Sequence, residues 1–300
     1  MFNDDPITPA KWLAEVPEDR PVLIAGPTAS GKSGLALALA RAQGRAVVNA
    51  DALQVYDSWR VLSARPSAAE EAEAPHHLYG HVPAAEDYSV GHWLREVGAL
   101  LSKDPRPVIV GGTGLYFTAL TKGLAEIPAT PPEVRREADR RLHAEGVQAL
   151  LAELDAESLA RIDRLNPVRV QRAWEVLQAT GRGLASWQAE TGPPLLPLGE
   201  AHAVVLRPDV AWLDARIAER FSQMMAEGAL EEARAALPDW QPSRPYARAI
   251  GAPELIAHLR GELTRAEAVA AATLASRQYA KRQRTWFRSR MKDWREVALP

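Results

Sequence analysis

PVLIAGPTASGKS, residues 21–33, is the stretch from which the fold is read. Its first half, Pro21 to Gly26, is a short apolar run that ends on glycine, as a strand buried on both faces does. From Lys32 to about Ala42 the chain is rich in alanine and leucine and has strong helix propensity. Between the two lies Gly26-Pro27-Thr28-Ala29-Ser30-Gly31-Lys32-Ser33, which matches the pattern G-x-x-x-x-G-K-[ST]. The glycines permit a tight loop, and its amides join the helix N-terminus in attracting phosphate oxygens. Lys32 adds a positive charge, and the Ser33 hydroxyl is a ligand for Mg²⁺. A strand–turn–helix corner could match by accident, but here strand, loop and helix stand in the required order. The loop implies a polyphosphate ligand, without specifying a nucleotide or phosphoryl transfer.

Three further runs read as strands: Arg45–Asp51 (RAVVNAD), Pro107–Val110 (PVIV) and His202–Leu206 (HAVVL). Alternation with helical segments predicts an α/β fold, a P-loop NTPase-like parallel sheet flanked by helices. From about Thr121 to Gly199 no strand-like run occurs, while Arg135–Leu151 and Val168–Thr180 are charged and amphipathic. Prolines 128, 131 and 132 precede this region and 193, 194 and 197 follow it, as at a boundary. The expected organisation is a catalytic core of residues 1–120 and 200–300, interrupted by a helical insertion domain, 121–199. Helices are expected again at Leu213–Leu237, Pro253–Arg260 and Arg265–Lys292.

The composition narrows the function classes. With 300 residues, 47% hydrophobic and a net charge of −2, the chain is no general polyanion binder, so any nucleic-acid contact requires local clustering. The absence of cysteine excludes disulfides, thiolate metal sites and cysteine nucleophiles. The N-terminal MFNDDPITPAKW is acidic and broken by prolines, unlike a signal peptide, and no run approaches the length of a membrane span. A soluble, cytoplasmic protein without membrane contact is expected.

Two more strand ends carry candidate chemistry. Asp51 ends the second strand, where doubly wound sheets place their ligand crevice; alone it reads equally as a helix cap, beside a phosphate loop as a general base or Mg²⁺ partner. Gln54 has the two-sided amide that reads an adenine edge. Gly111-Gly112-Thr113-Gly114 follows the third strand and offers close backbone approach with one hydroxyl. Near the C-terminus Arg277, Lys281, Arg284, Arg288 and Lys292 recur at spacings that form one helical stripe, with Arg282 and Arg290 adding charge. No acid falls among them, so in a slightly acidic chain they suit a phosphate backbone better than a merely solvated face. Arg169 and Arg172 could extend that surface. His76, His77 and His81 in PHHLYGHV lack a carboxylate at ligand spacing and are set aside as a zinc site.

Taken together, GPTASGKS, NADALQVY, SARPS, PHHLYGHV, VGGTGLYFTALTKGLAEIP, NPVRVQRAWEVLQATG, RAIGAPEL and YAKRQRTWF resemble the tRNA dimethylallyltransferases, in that family's order and over nearly the whole chain. The resemblance implies transfer of a dimethylallyl group from dimethylallyl diphosphate to the exocyclic amine of the adenosine 3′ to the anticodon. Asp51 falls on the family's catalytic acid, with Lys32 and Thr113 beside it, and the phosphate loop on the donor's diphosphate and Mg²⁺. tRNA contacts are implied at Asp51, Ala52, Leu53, Gln54, Thr113, Arg135 and Val168-Arg169-Val170-Gln171-Arg172. They are implied again at Arg248, Gly251 and Lys281-Arg282-Gln283-Arg284-Thr285-Trp286-Phe287-Arg288. The insertion is then expected to meet the anticodon stem-loop, and the protein to act as a monomer. This chain departs from the family in carrying Ala52 where serine is usual, and in the wording of Asp57-Ser58-Trp59-Arg60. Two rival readings, a P-loop small-molecule kinase and a non-catalytic nucleotide-sensing RNA-binding module, lack the family segments and an acid aimed at the crevice respectively.

Overall fold

A computed structural model describes residues 8–299. The proline-broken residues 1–7, read above for a leader and as the start of the core, and Pro300 lie outside the described residues.

Six strands form a single sheet: β1 (Val22–Ala25), β2 (Val47–Asn49), β3 (His76–His77), β4 (Val108–Gly111), β5 (His202–Arg207) and β6 (Arg295–Ala298). Their order is β3-β2-β4-β1-β5-β6 and every pairing is parallel, with Val22 in register with both Val108 and His202. This is the expected α/β architecture. The central strand is buried throughout, and its side chains alternate between two cores. Val22 and Ile24 pack with Leu39 and Trp12 on one face, Leu23 and Ala25 with Trp93 and Phe117 on the other. A sheet covered on both faces needs continuous apolar strands, which is why PVLIAG and PVIV are legible as such.

Two strands were not foreseen. β3 is two half-exposed histidines, and β6 places exposed Arg295 and Glu296 on the outer edge. Both are edge strands, where polar side chains are tolerated and the apolar signal fades. Two expected helices are each broken in two. Pro132–Glu145 and Val147–Leu151 part at Gly146 (φ +79°), and Val210–Ala226 and Ala229–Ala236 part at Gly228 (φ +104°). The long C-terminal helix runs Arg265–Arg290 and stops short of Lys292, which therefore leaves the helical stripe.

The chain divides into two compact units, one running to Thr121 and resuming at Leu196, the other Lys122–Leu195. The first carries the sheet. Its two segments are joined where the Leu196 amide donates to the Leu120 carbonyl at 3.0 Å. The second is helical and has its own core of Ala138, Leu150, Leu154, Val170, Ala173 and Trp174. Among the described residues, no helix is long and apolar enough to cross a membrane.

Candidate active site

The carboxyl ends of β1, β2 and β4 converge, and each delivers the residues singled out by sequence. After β1 the phosphate loop turns through Ala29 (φ +62°) and Gly31 (φ +83°) into helix Lys32–Gln43. After β2, fully buried Asn49 aims Asp51: its side-chain oxygen accepts from the Asp51 amide (2.8 Å) and its amide donates to the Asp51 carbonyl (2.9 Å). Asp51 Oδ1 accepts from the Leu53 amide at 3.0 Å. Oδ2 accepts no hydrogen bond among the described residues. After β4, Thr113 Oγ1 accepts from the Ala52 amide at 2.9 Å, so the threonine holds the chain that carries Asp51. Ala52 makes this contact through its backbone, and the serine-to-alanine departure leaves it intact.

Gln283 of the long helix closes the group. Its side-chain oxygen accepts from the Thr28 amide (2.8 Å) and its amide donates to the Gly112 carbonyl (2.9 Å). The fit depends on Gly112 lacking a side chain, because a Cβ there would lie 2.2 Å from Gln283 Nε2 and 3.3 Å from Asp51 Oδ2. Helix Val210–Ala226 adds two arginines absent from the sequence reading. Arg216 Nε donates to the Ala29 carbonyl (3.1 Å), and Arg220 Nη1 donates to the Thr28 hydroxyl (3.2 Å). Their four-residue spacing on one amphipathic helix was the available signal, but nothing in that signal says which loop they reach. Asn49 was missed because a lone buried asparagine has no pattern at all.

The electrostatics follow from burial. Desolvation lowers the Lys32 ammonium to about 8, against the opposing attraction of Asp51 and with Arg220 adding to the fall. Burial likewise pushes Arg220 down, with Asp51 holding it up. The site therefore sets two poorly solvated cations against one carboxylate, a surplus of positive charge that a diphosphate would neutralise. Around Asp51 the hydroxyls of Tyr79, Tyr116 and Tyr279 are raised by burial first and by the Asp51 charge second, and so stay protonated. The cavity between these groups is lined by polar Thr28, Asp51, Arg220 and Tyr279 together with apolar Leu62, Ile217, Phe221, Met224 and Ile250.

Several expectations need correction. The Thr28 amide, expected to attract phosphate, donates to Gln283 instead. Gln54 donates its amide to the Ser63 and Ala64 carbonyls (2.9 and 2.8 Å), which leaves only its oxygen for a base. Within the loop, Pro27, Ala29 and Ser30 are buried, whereas Ser33 is exposed. Four positions expected to touch RNA are buried: Val170 in the helical unit, and Gly251, Gln283 and Phe287 in the sheet unit. Lys281, Arg282, Thr285 and Arg288 face solvent, and Arg284 and Trp286 are half-buried, each with one side-chain nitrogen lacking an acceptor. Arg248 is exposed in the sheet unit, as are Arg135, Val168 and Arg169 in the helical one. There Glu175, only 4% exposed, gathers Gln171 (3.1 Å), Arg172 (3.6 Å) and Arg135 (3.8 Å).

For a divalent cation, the donors present are hard oxygens but few. Ser33 supplies a hydroxyl, and among the described residues no three His, Cys, Asp or Glu side chains converge. Such a set suits an ion carried mainly by substrate phosphate and water, as Mg²⁺ commonly is. His76 and His77 build β3, and His81 Nε2 lies 2.9 Å from Glu96.

Family models described as IPP transferase and isopentenyl transferase match residues 54–290 and 20–79 respectively. A tRNA dimethylallyltransferase of Cereibacter sphaeroides is 71% identical over 96% of this chain and 92% of its own length. One of Dinoroseobacter shibae is 62% identical over 96% and 98%. Among solved structures, the full-length tRNA isopentenylpyrophosphate transferase of Bacillus halodurans is 30% identical over 94% of this chain and 89% of that one, with TM-score 0.64. A eukaryotic dimethylallyltransferase acting on tRNA shares the fold at TM-score 0.78 and 23% identity, over 93% and 73%.

Proposed function

The chain belongs to the tRNA dimethylallyltransferase family, and from that premise we propose how its residues divide the work of moving a dimethylallyl group onto tRNA. The donor is dimethylallyl diphosphate, and the acceptor is the exocyclic amine of the adenosine 3′ to the anticodon. That amine is a poor nucleophile, because its lone pair is delocalised into the ring. The protein must therefore stabilise the departing diphosphate and remove the proton that the amine sheds.

The observation that carries this division is Asp51, which lines the cavity and is held by Asn49 and Leu53 through every group except Oδ2. Oδ2 takes the proton as the new N–C bond forms and the allylic C–O bond breaks. Lys32, Arg220, the Thr28 hydroxyl and the loop amides receive the diphosphate. A divalent cation, Mg²⁺ in this reading, would sit at Ser33 and the phosphates and offset charge on the leaving group. Thr113 keeps Asp51 in place by holding the Ala52 amide, and Gln283 locks the phosphate loop to the end of β4. Proximity of the two reactants supplies the remaining acceleration.

The target base must leave its stack, which costs least in a single-stranded loop. The exposed cations Lys281, Arg282 and Arg288, with Arg248, grip RNA backbone, and the helical unit contacts the anticodon stem through Arg135 and Arg169. The enzyme works as a cytoplasmic monomer in this reading.

Replacing Asp51 with Asn tests the core of it. Single-turnover transfer of labelled dimethylallyl from its diphosphate to tRNA should fall about 10²–10⁴-fold, the usual weight of a general base, with tRNA affinity within a few-fold of wild type. Near-normal turnover would remove Asp51 from that role. Parallel incubation with labelled ATP, with and without tRNA, should give no phosphoryl transfer.

A further inference from the structure

Among the described residues Glu175 is the sole acid that is buried, at 4% exposure. It lies in the helical unit, on helix Pro167–Thr180, which also buries Val170, Ala173, Trp174 and Val176. A charge so placed is costly unless it is paired. Here the pairing is specific. Oε1 accepts a hydrogen bond from Gln171 at 3.1 Å and lies 3.8 Å from Arg135 Nε, while Oε2 lies 3.6 Å from Arg172 Nη1. Gln171 also donates to Asp139 at 2.7 Å, which ties this helix to Pro132–Glu145, the helix that carries Arg135. Arg172 has a second tether, because its Nη1 also donates to the Thr130 hydroxyl.

The two guanidiniums are thus gathered by one carboxylate. Neither 3.6 nor 3.8 Å is a hydrogen-bond distance, so those contacts hold the cations by charge and spend no N–H on the acid. The Arg135 and Arg172 side chains remain 54% and 39% exposed, against 5% for that of Glu175. The cations reach solvent and the acid does not. Without the acid the guanidiniums would repel each other, and each would regain rotamer freedom that binding must remove again. Held in advance, they cost less to order when a phosphate arrives.

Resting on the reading that this unit meets the anticodon stem through Arg135, we propose that Glu175 is a positioning residue for tRNA, fixing Arg135 and Arg172 as a preformed pair for the phosphates of the stem. It touches no RNA itself. Its charge and its role pull in opposite directions. Counted by charge alone, loss of an acid beside two cations should tighten RNA binding. Loss of a positioning group should weaken it.

The test is a double-mutant cycle on the full chain, with tRNA affinity measured at several salt concentrations. Glu175→Gln keeps the shape and the acceptor for Gln171 and removes the charge. It should weaken tRNA binding roughly fivefold, within the coupling usual for members of one salt-bridge network, and flatten the log–log salt dependence. In an Arg135→Ala, Arg172→Ala background the same substitution should change neither quantity. Affinity for inorganic diphosphate should be equal in all these proteins, since the phosphate loop lies in the sheet unit. An affinity unchanged or tightened by Glu175→Gln would overturn the positioning role. An equal loss in the background without the two arginines would overturn it too, because general loosening of the helical unit predicts that result. If circular dichroism shows that Glu175→Gln does not fold, Thr130→Val takes its place, removing the other tether of Arg172. It should weaken tRNA binding where Arg172 is present and not where it is alanine, and no effect in either case would overturn the preformed pair. If the two arginine substitutions alone leave tRNA affinity and salt dependence unchanged, the reading that these arginines meet the stem is wrong, and Glu175 loses its role with it.

Discussion

Gln283 spans 255 positions of sequence to reach Thr28, and its two hydrogen bonds tie the phosphate loop to the end of β4. Replacing it with alanine leaves the Thr28 amide and the Gly112 carbonyl unsatisfied in a buried place. That should cost about 1–3 kcal/mol per unmet group by the usual penalty, read as a lower denaturant midpoint. Donor affinity should fall with it, because the loop loses its anchor. Lys32 makes a second prediction at this scale. Its pKa is lowered from 10.5 to about 8, so the free enzyme carries the cation below that pH and loses it above. Diphosphate binding favours the charged form. Affinity for inorganic diphosphate should therefore be flat below about pH 8 and fall above it, approaching tenfold per unit as each binding event takes up a proton. Lys32→Arg keeps its charge throughout and should show no break there. Titrations from pH 7 to 10 on both proteins decide it.

The long helix Arg265–Arg290 shows how one element serves two masters. Ala268, Ala272, Ala280, Gln283 and Phe287 form its buried stripe, and Arg277, Lys281 and Arg288 its exposed one. Among the described residues Lys281, Arg282, Arg284 and Arg288 form no ion pair, so their charge is available to a polyanion. Neutralising Lys281 and Arg288 together should weaken tRNA binding and leave donor binding unchanged. Each lost phosphate contact should flatten the log–log salt dependence by roughly 0.7–0.9, so the pair by about 1.4–1.8. A helix face that is merely solvated predicts parallel slopes and equal affinity. Affinities measured at several salt concentrations separate the two.

For the molecule as a whole, the helical unit Lys122–Leu195 leaves and re-enters the sheet unit at hydrogen-bonded neighbours, Leu120 and Leu196. Both units have cores of their own. Replacing residues 122–195 with a short glycine linker should therefore leave the sheet unit folded and competent to bind inorganic diphosphate. If the helical unit holds the anticodon stem, tRNA affinity and transfer should collapse together. Retained tRNA affinity would assign recognition to the sheet unit alone.

What was legible in the sequence was local. The buried strands are continuous apolar runs, the phosphate loop is a contiguous eight-residue pattern, and Asp51 and Thr113 announce themselves by following strands. Signals of that kind survive because the physics behind them, burial on both faces and loop geometry, acts over a few residues. The basic stripe was half legible. Helical spacing placed its cations on one face, but Gln283 and Phe287 lie on the other, and periodicity alone does not say which face meets the core. β3 and β6 were illegible, since edge strands carry no apolar pattern. Only the tertiary structure brought Arg216 and Arg220 onto the phosphate loop, Gln283 onto Thr28, and Glu175 between Arg135 and Arg172. Apart from Arg172 and Glu175, neighbours on one helix, these are encounters between residues far apart in the chain, and their energy comes from burial that exists only after folding.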